Sequence, residues 1–360
     1  MSRASGIAVV VVSLVLPAHA LAAQWLKEPT KGIPRTADGK PNLTAPAPRT
    51  ADRRPDLSGL WRFDAGSYAN NVSVDLKPGE IRPGVDALYK QRMEDLGKDD
   101  PSTFRCLPPG PRALYNPQGW ARIIQTPSVI AVVYEDLTSR QIFMDGRALP
   151  KDPNPSFMGY SVGRWDGDTL VVDSIGFNDT SWLDFGGHPH SEALHTTERI
   201  TRKSFGRLDV EVRLDDPAIF TRAFTVPSHA EIVTDTEMIE YVCGENQKDV
   251  AHLVGKASDE KKLAVKVAPQ ILSTYVGGYT FKAPDDPGQV MRFNVTLAGD
   301  TLSLDIGGKD KQEMIALSNE TFSVMGVRLD FVKEREKDKE AVTHLIFHIV
   351  EGDMKATKDR

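Results

Sequence analysis

From Pro55 onward the chain alternates apolar and polar residues at period two in short runs, with turn-forming residues interrupting them about every ten positions. Residues patterned this way share one buried face only when the backbone is extended, because successive side chains of a strand point to opposite sides. The pattern therefore predicts antiparallel strands. The clearest hairpin is Arg164-Trp165-Asp166-Gly167-Asp168-Thr169-Leu170-Val171-Val172, where Asp166-Gly167 supplies the positive φ angles of a tight turn and Leu170 to Val172 begin the return. Asp145-Gly146 and Phe205-Gly206 punctuate two further strand pairs. Helical periodicity is weak, and Asp86 to Asp95 is the best helix candidate.

Composition shifts divide the 360 residues. Residues 1–23 read as a secretory signal peptide: Arg3 supplies positive charge, Ile7 to Leu16 an apolar run, and Ala18-His19-Ala20 or Leu21-Ala22-Ala23 the small residues of a cleavage site. The run is too short for a membrane span, which needs roughly 20 apolar residues. The expected location is exported, periplasmic or secreted. Residues 24–54 lack apolar periodicity and read as an extended arm. Residues 55–250 form the larger β domain, 251–271 a linker with a short helix ending near Pro269, and 272–360 a smaller β domain. Lys333 to Glu340 alternates in sign and reads as a solvated hairpin tip.

Three local patterns carry resemblances. Pro55-Asp56-Leu57-Ser58-Gly59-Leu60-Trp61 contains Gly-x-Trp at the first strand and resembles the opening of lipocalin-like barrels, which implies a tryptophan closing one barrel end. Leu272 to Tyr279, with the strand spacing after it, resembles the small C-terminal lipocalin-like modules of secreted serine hydrolases; the strands expected are Met291 to Leu297, Thr301 to Ile306, Phe322 to Met325, Val327 to Phe331 and Val342 to Val350. With Gly159 to Val172, His188 to Arg199 and Cys243-Gly244-Glu245-Asn246, the larger domain is similar to a family of exported bacterial β-rich proteins without an assigned activity, so no residue role follows from it. The fold class expected is all-β: a lipocalin-like antiparallel barrel or sandwich followed by a smaller β-barrel-like domain.

An oxidising compartment lets Cys106 and Cys243 pair; the alternative is two buried thiols, and the absence of Cys-x-x-Cys argues against redox catalysis. A formal charge of −6 and the lack of a basic stripe make nucleic acid a poor partner. The expected partner is a small-molecule ligand or substrate, with oligomeric state left open.

Chemistry concentrates between Gly186 and Arg199. If that segment is extended, His188, His190 and Glu192 share a face and are the candidate ligands of a divalent transition metal such as zinc, iron or manganese; loop histidines facing solvent or backbone are the competing reading. On the following stretch Leu194, Thr196, Glu198 and Ile200 face inward, so Glu198 requires an arginine or a metal. The candidate catalytic residues are Glu198, Arg199, Asp184 and His195, the last reaching the site only through a bulge. Trp182 as an aromatic wall, Tyr160 and Arg140 are the ligand-binding candidates. Gly159-Tyr160-Ser161-Val162-Gly163 fits Gly-x-Ser-x-Gly, but a hairpin follows where a nucleophile elbow needs a helix. Three readings remain: an exported hydrolase or lyase acting on a small molecule with the His/Glu cluster as metal ligands or acid/base groups, a non-catalytic lipocalin-like binder of an apolar or aromatic compound, or an envelope scaffold with two structural β domains.

Overall fold

The computed structural model describes residues 29–246, 255–282, 290–306, 311–324, 326–336, 339–349 and 352–359. The expected signal peptide, the first residues of the arm, and the tip of the Lys333 to Glu340 hairpin lie outside them.

Among the described residues, nine strands close the larger barrel: β1 Gly59–Asp64, β2 Trp120–Gln125, β3 Val129–Tyr134, β4 Ser139–Phe143, β5 Tyr160–Asp166, β6 Thr169–Ile175, β7 His195–Ser204, β8 Arg207–Asp215 and β9 Phe224–Ile232. Each pairs with the next, and β9 returns to β1 through Trp61↔Ile232 to Asp64↔His229. The alternation works as expected: Ile130, Val132 and Tyr134 of β3 are buried, as are Leu208, Val210, Val212 and Leu214 of β8. Trp61 is fully buried and donates its indole N–H to the Leu57 carbonyl at 3.0 Å.

One pairing departs from the antiparallel pattern. Strands β4 and β5 run parallel and share only Ile142↔Ser161 and Phe143↔Val162. Asp145-Gly146 is thus not a hairpin turn; it starts a long crossover, and Asp145 accepts from Arg147 two residues on. The hairpin expected at Asp166-Gly167 forms one residue later: Asp166 still pairs with Thr169, Gly167 and Asp168 make the turn, and only Gly167 is left-handed, at φ +59°. Phe205-Gly206 joins antiparallel neighbours as expected.

Helix α1, Pro83–Glu94, covers the expected Asp86 to Asp95 and starts with proline, whose fixed φ and missing N–H suit a first turn. The one-turn helix α2, Pro101–Phe104, is capped by Asp100, which accepts from the Ser102 N–H at 2.9 Å. In the linker, α3 (Ala257–Lys262) ends well before Pro269 and α4 (Pro269–Tyr275) begins there. The proline opens a helix instead of following one. No helix among the described residues is long and apolar enough to cross a membrane.

The arm is more ordered than its composition implies. Pro34-Arg35-Thr36-Ala37-Asp38 recurs as Pro48-Arg49-Thr50-Ala51-Asp52, and both copies fold alike, closed by the bridges Arg35↔Pro41 and Arg49↔Pro55. Each copy's arginine pairs with an aspartate farther along the chain, Arg35 with Asp235 and Arg49 with Asp168. Local Thr–Asp hydrogen bonds take the place of a hydrophobic core.

The second barrel closes from β10 Gly277–Lys282 through β11 Val290–Ala298, β12 Thr301–Ile306, β13 Lys311–Ala316, β14 Thr321–Val324, β15 Val327–Glu336 and β16 Lys339–Ile349 to β17 Gly352–Lys358. Strands β13 and β17 had no counterpart in the sequence reading, because neither shows a long apolar alternation. Tyr275, Phe322 and Phe331 pack together inside, the first and last stacked at 4.0 Å. Outside, His348 of β16 bonds Asp330 of β15 at 2.9 Å and Asp353 of β17 at 2.7 Å. Asp330 and then Asp353 hold the imidazolium above its ordinary pKa. A raised folded value contributes stability that is complete below the unfolded value of about 6.5 and fades as pH climbs through the folded value. The stability gap between wild type and His348→Gln should therefore be widest near neutral and mildly acidic pH and narrow in alkali, measured by thermal unfolding of the second barrel; a gap that widens with pH contradicts this.

Candidate functional site

The buried carboxylate of β7 has its partner. Arg140 of β4 donates from Nη1 to Glu198 Oε1 at 3.0 Å and from Nη2 to Glu198 Oε2, and also reaches Ser161 Oγ at 3.0 Å and Ser174 Oγ at 2.9 Å. These groups sit inside the barrel among Ile142, Leu170 and Ile200. Removed from water, the Arg140 guanidinium is nevertheless held above its ordinary pKa by Glu198, while burial pushes the neighbouring Tyr134 hydroxyl well up. The remaining space is about 20 Å³, room for roughly one water molecule. The lumen is a packed core with a satisfied ion pair.

Asp184, His188, His190 and Trp182 lie in a cap over one end, built by α1, the turn before it and the loop between β6 and β7. Gly186 and Gly187 let α1 dock closely: a Cβ on Gly187, whose φ is +102°, would stand 2.8 Å from the Arg92 side chain, and one on Gly186 would stand 2.4 Å from the Asn70 carbonyl oxygen. Asp184 is fully buried and accepts four hydrogen bonds: from the N–H groups of Val72 (2.7 Å), Gly187 (2.8 Å) and His188 (2.9 Å), and from His188 Nδ1 at 2.6 Å. Both oxygens are engaged. The carboxylate anchors the loop and has no lone pair directed at a reactant.

His188 is also fully buried, its ring stacked on Tyr89 of α1 at 3.8 Å. Its Nδ1 faces the Asp184 carboxylate, and its Nε2, fully enclosed, has no hydrogen-bond partner among the described residues. His190 pairs with Ser181, its Nε2 2.8 Å from Ser181 Oγ, and burial pushes its pKa down to about 4, so it is neutral at ordinary pH. That serine–histidine contact resembles an activated nucleophile, yet both residues are buried. The backbone of Gly110 also stands so near that a Cβ there would lie 2.0 Å from Ser181 Oγ.

His188, His190 and Glu192 do not form a ligand set. The alternation argument needs extended backbone, whereas Gly187 is left-handed, Ser191 to Leu194 form a turn, and β7 begins only at His195. Glu192 consequently faces solvent, and among the described residues no three His, Cys, Asp or Glu side chains come together to hold a metal ion. The candidate catalytic set separates for the same reason. Glu198 points into the barrel and Asp184 into the cap. His195, with no bulge at its position, turns outward toward Asp173 at 3.4 Å, and Arg199 pairs on the outer surface with Asp166 at 3.0 Å. Tyr160 accepts from Arg147 at 3.0 Å on the outside of the barrel, and Arg140 is spent on Glu198.

Trp182 remains in a pocket. It is one wall of a cavity of about 300 Å³, shared with Arg92 of α1, Asp95 just after the helix, Lys98, Asp99, Arg105 and Thr180. The Arg92 guanidinium lies 4.4 Å from the Trp182 ring centroid and donates to the Gly187 carbonyl at 2.7 Å; it makes no ion pair among the described residues. Burial pulls its pKa below the ordinary value, opposed by the negative charges of Asp184, Asp99 and Asp100. Arg92, Tyr89 and Ser181 were missed in the sequence. Arg92 and Tyr89 lie on the expected helix but meet the histidine loop about a hundred residues later, a contact with no local signature.

The disulfide joins Cys106, just after α2, to Cys243, with Cα atoms 5.5 Å apart, and spans 137 residues. The two thiols form the expected pair. No family model and no curated protein matches the chain.

Proposed function

We propose that this protein is an exported, non-catalytic binder of a small anionic molecule, held in the cap pocket between Arg92 and Trp182. The observation that carries the reading is a half-buried guanidinium over an indole, facing a 300 Å³ cavity and making no ion pair among the described residues; Arg92, Lys98 and Arg105 outnumber Asp95 and Asp99 along the lining. Such a group binds a carboxylate or phosphate through charge-assisted hydrogen bonds while the indole offers a flat apolar wall. Its volume lies at the small end of ligand sites, whereas the barrel lumen falls far below them. Binding is favoured over the hydrolase or lyase because the groups suited to catalysis are engaged: Asp184 by four donors and His190 by Ser181. Export is supported by the N-terminal charged and apolar run and by the disulfide.

Calorimetric titration of the full chain with benzoate and with inorganic phosphate tests this reading. At least one should saturate, be recovered unchanged, and lose about tenfold or more in affinity in Arg92→Gln, equivalent to about 1.4 kcal/mol per tenfold. Equal binding by wild type and Arg92→Gln, or no binding of either anion, overturns it.

A further inference from the structure

The cap pocket carries more positive charge than one anionic group needs. Arg92 is its inner cation, half-buried over the ring of the buried Trp182. Arg105, an exposed side chain on the lining of the same cavity, is its outer one. Lys98 also lies on the lining and gives its ammonium to the Gly255 carbonyl. The carboxylates of the lining do not cancel these charges. Asp95 has Lys256 at 3.8 Å, and Asp99 stands 3.9 Å from Arg105 with its side chain 80% exposed, a distance and setting in which an ion pair contributes little. Arg105 therefore loses little by turning its guanidinium to a ligand.

Both arginines stand on fixed backbone. The Arg105 N–H donates to the Pro101 carbonyl at 3.2 Å at the end of α2, and the residue after it is Cys106 of the disulfide. Arg92 lies on a helix tied at both ends, by Arg82 Nε to the Pro217 carbonyl at 2.8 Å and by the Ser258 N–H to Glu94 at 3.3 Å. A ligand recruiting them orders side chains alone, which keeps the entropic cost of binding low. Leu88, Pro101 and Trp182 supply the apolar part of the lining.

The geometry points to an aromatic dicarboxylate as the ligand class, with one carboxylate on Arg92, the second on Arg105 and the ring against the apolar wall. A phosphate ion concentrates its charge on one small group and has no body to cover that wall, whereas the two arginines lie at different depths, one half-buried and one exposed. The inference rests on the anion-binding reading for Arg92 and adds a second charge contact to it. Arg105 becomes the residue that tells a dianion from a monoanion.

Calorimetric titration of the full chain with benzoate, phthalate, isophthalate and terephthalate tests it. One dicarboxylate should bind about fivefold tighter than benzoate, the most that an ion pair at an exposed position is worth. That ratio should fall to about one in Arg105→Gln and return in Arg105→Lys, which keeps the charge; equal unfolding midpoints show the variants to be folded. In the wild-type protein it should also shrink in about 1 M sodium chloride, where charges are screened beyond roughly 3 Å. Dicarboxylates that bind no tighter than benzoate overturn the second contact and leave the Arg92 reading standing, and a ratio that survives in Arg105→Gln or ignores salt overturns it equally. No binding by any of the four acids removes both readings.

Discussion

Glu198→Leu should destabilise the larger barrel by about 3–5 kcal/mol, because it leaves the Arg140 guanidinium buried without its counter-charge. The double variant Arg140→Met/Glu198→Leu should recover most of that loss, since well-packed apolar residues of similar volume replace a buried ion pair at little cost. Denaturant unfolding followed by tryptophan fluorescence is suited to the comparison: all five tryptophans, at positions 25, 61, 120, 165 and 182, precede the second barrel, so the signal reports on the larger domain. A double variant less stable than the single one would mean that Ser161, Ser174 and Tyr134 depend on the arginine more than the arginine depends on the glutamate. In either case the pair is a structural element of the core, which separates it from any ligand chemistry in the cap.

Removing the Cys106–Cys243 link should have a comparable effect, about 2–5 kcal/mol, since it frees a loop spanning 137 residues in the unfolded chain. The readout is the denaturation midpoint of Cys106→Ser/Cys243→Ser against wild type, with and without reductant. Reductant should lower the wild-type midpoint to that of the double variant and leave the variant unchanged. Identical midpoints in all four samples would show that the segment around Cys243 is held to the barrel by its other contacts, such as the Tyr241 N–H to the Glu135 carbonyl at 2.6 Å.

The strands of the larger barrel were legible because their signal is local. The stretch around β7 declares its own inward face, Leu194, Thr196, Glu198 and Ile200, and the demand that Glu198 find an arginine or a metal follows from burial alone. Which arginine it finds was not legible, because Arg140 sits 58 positions away on a strand whose neighbour is parallel. The crossover from Met144 to Gly159 contains no helix to announce such a connection. The histidine segment misled for a different reason. Its residue types are those of a metal site, but the geometry depended on backbone that Gly187 and the turn at Ser191 do not supply. Helix α1 was visible as a helix, while its role came from Tyr89 and Arg92 meeting glycines that permit close approach. Tertiary contact gave those residues their meaning.

The two-residue pairing of β4 with β5 bears on how this protein fails. A closed barrel has no free strand edge, so it offers nothing for another chain to extend. Here the ring is thinnest between Ile142↔Ser161 and Phe143↔Val162. Parting that seam would bare two edges at once, and β4 continues into the apolar β3, whose run Val129–Tyr134 has the composition of an aggregating segment. Arg140 bonds Ser161 across the seam from within. The buried polar cluster is thereby a latch against self-association, and variants that weaken it should be recognised first by insolubility, before any loss of ligand binding.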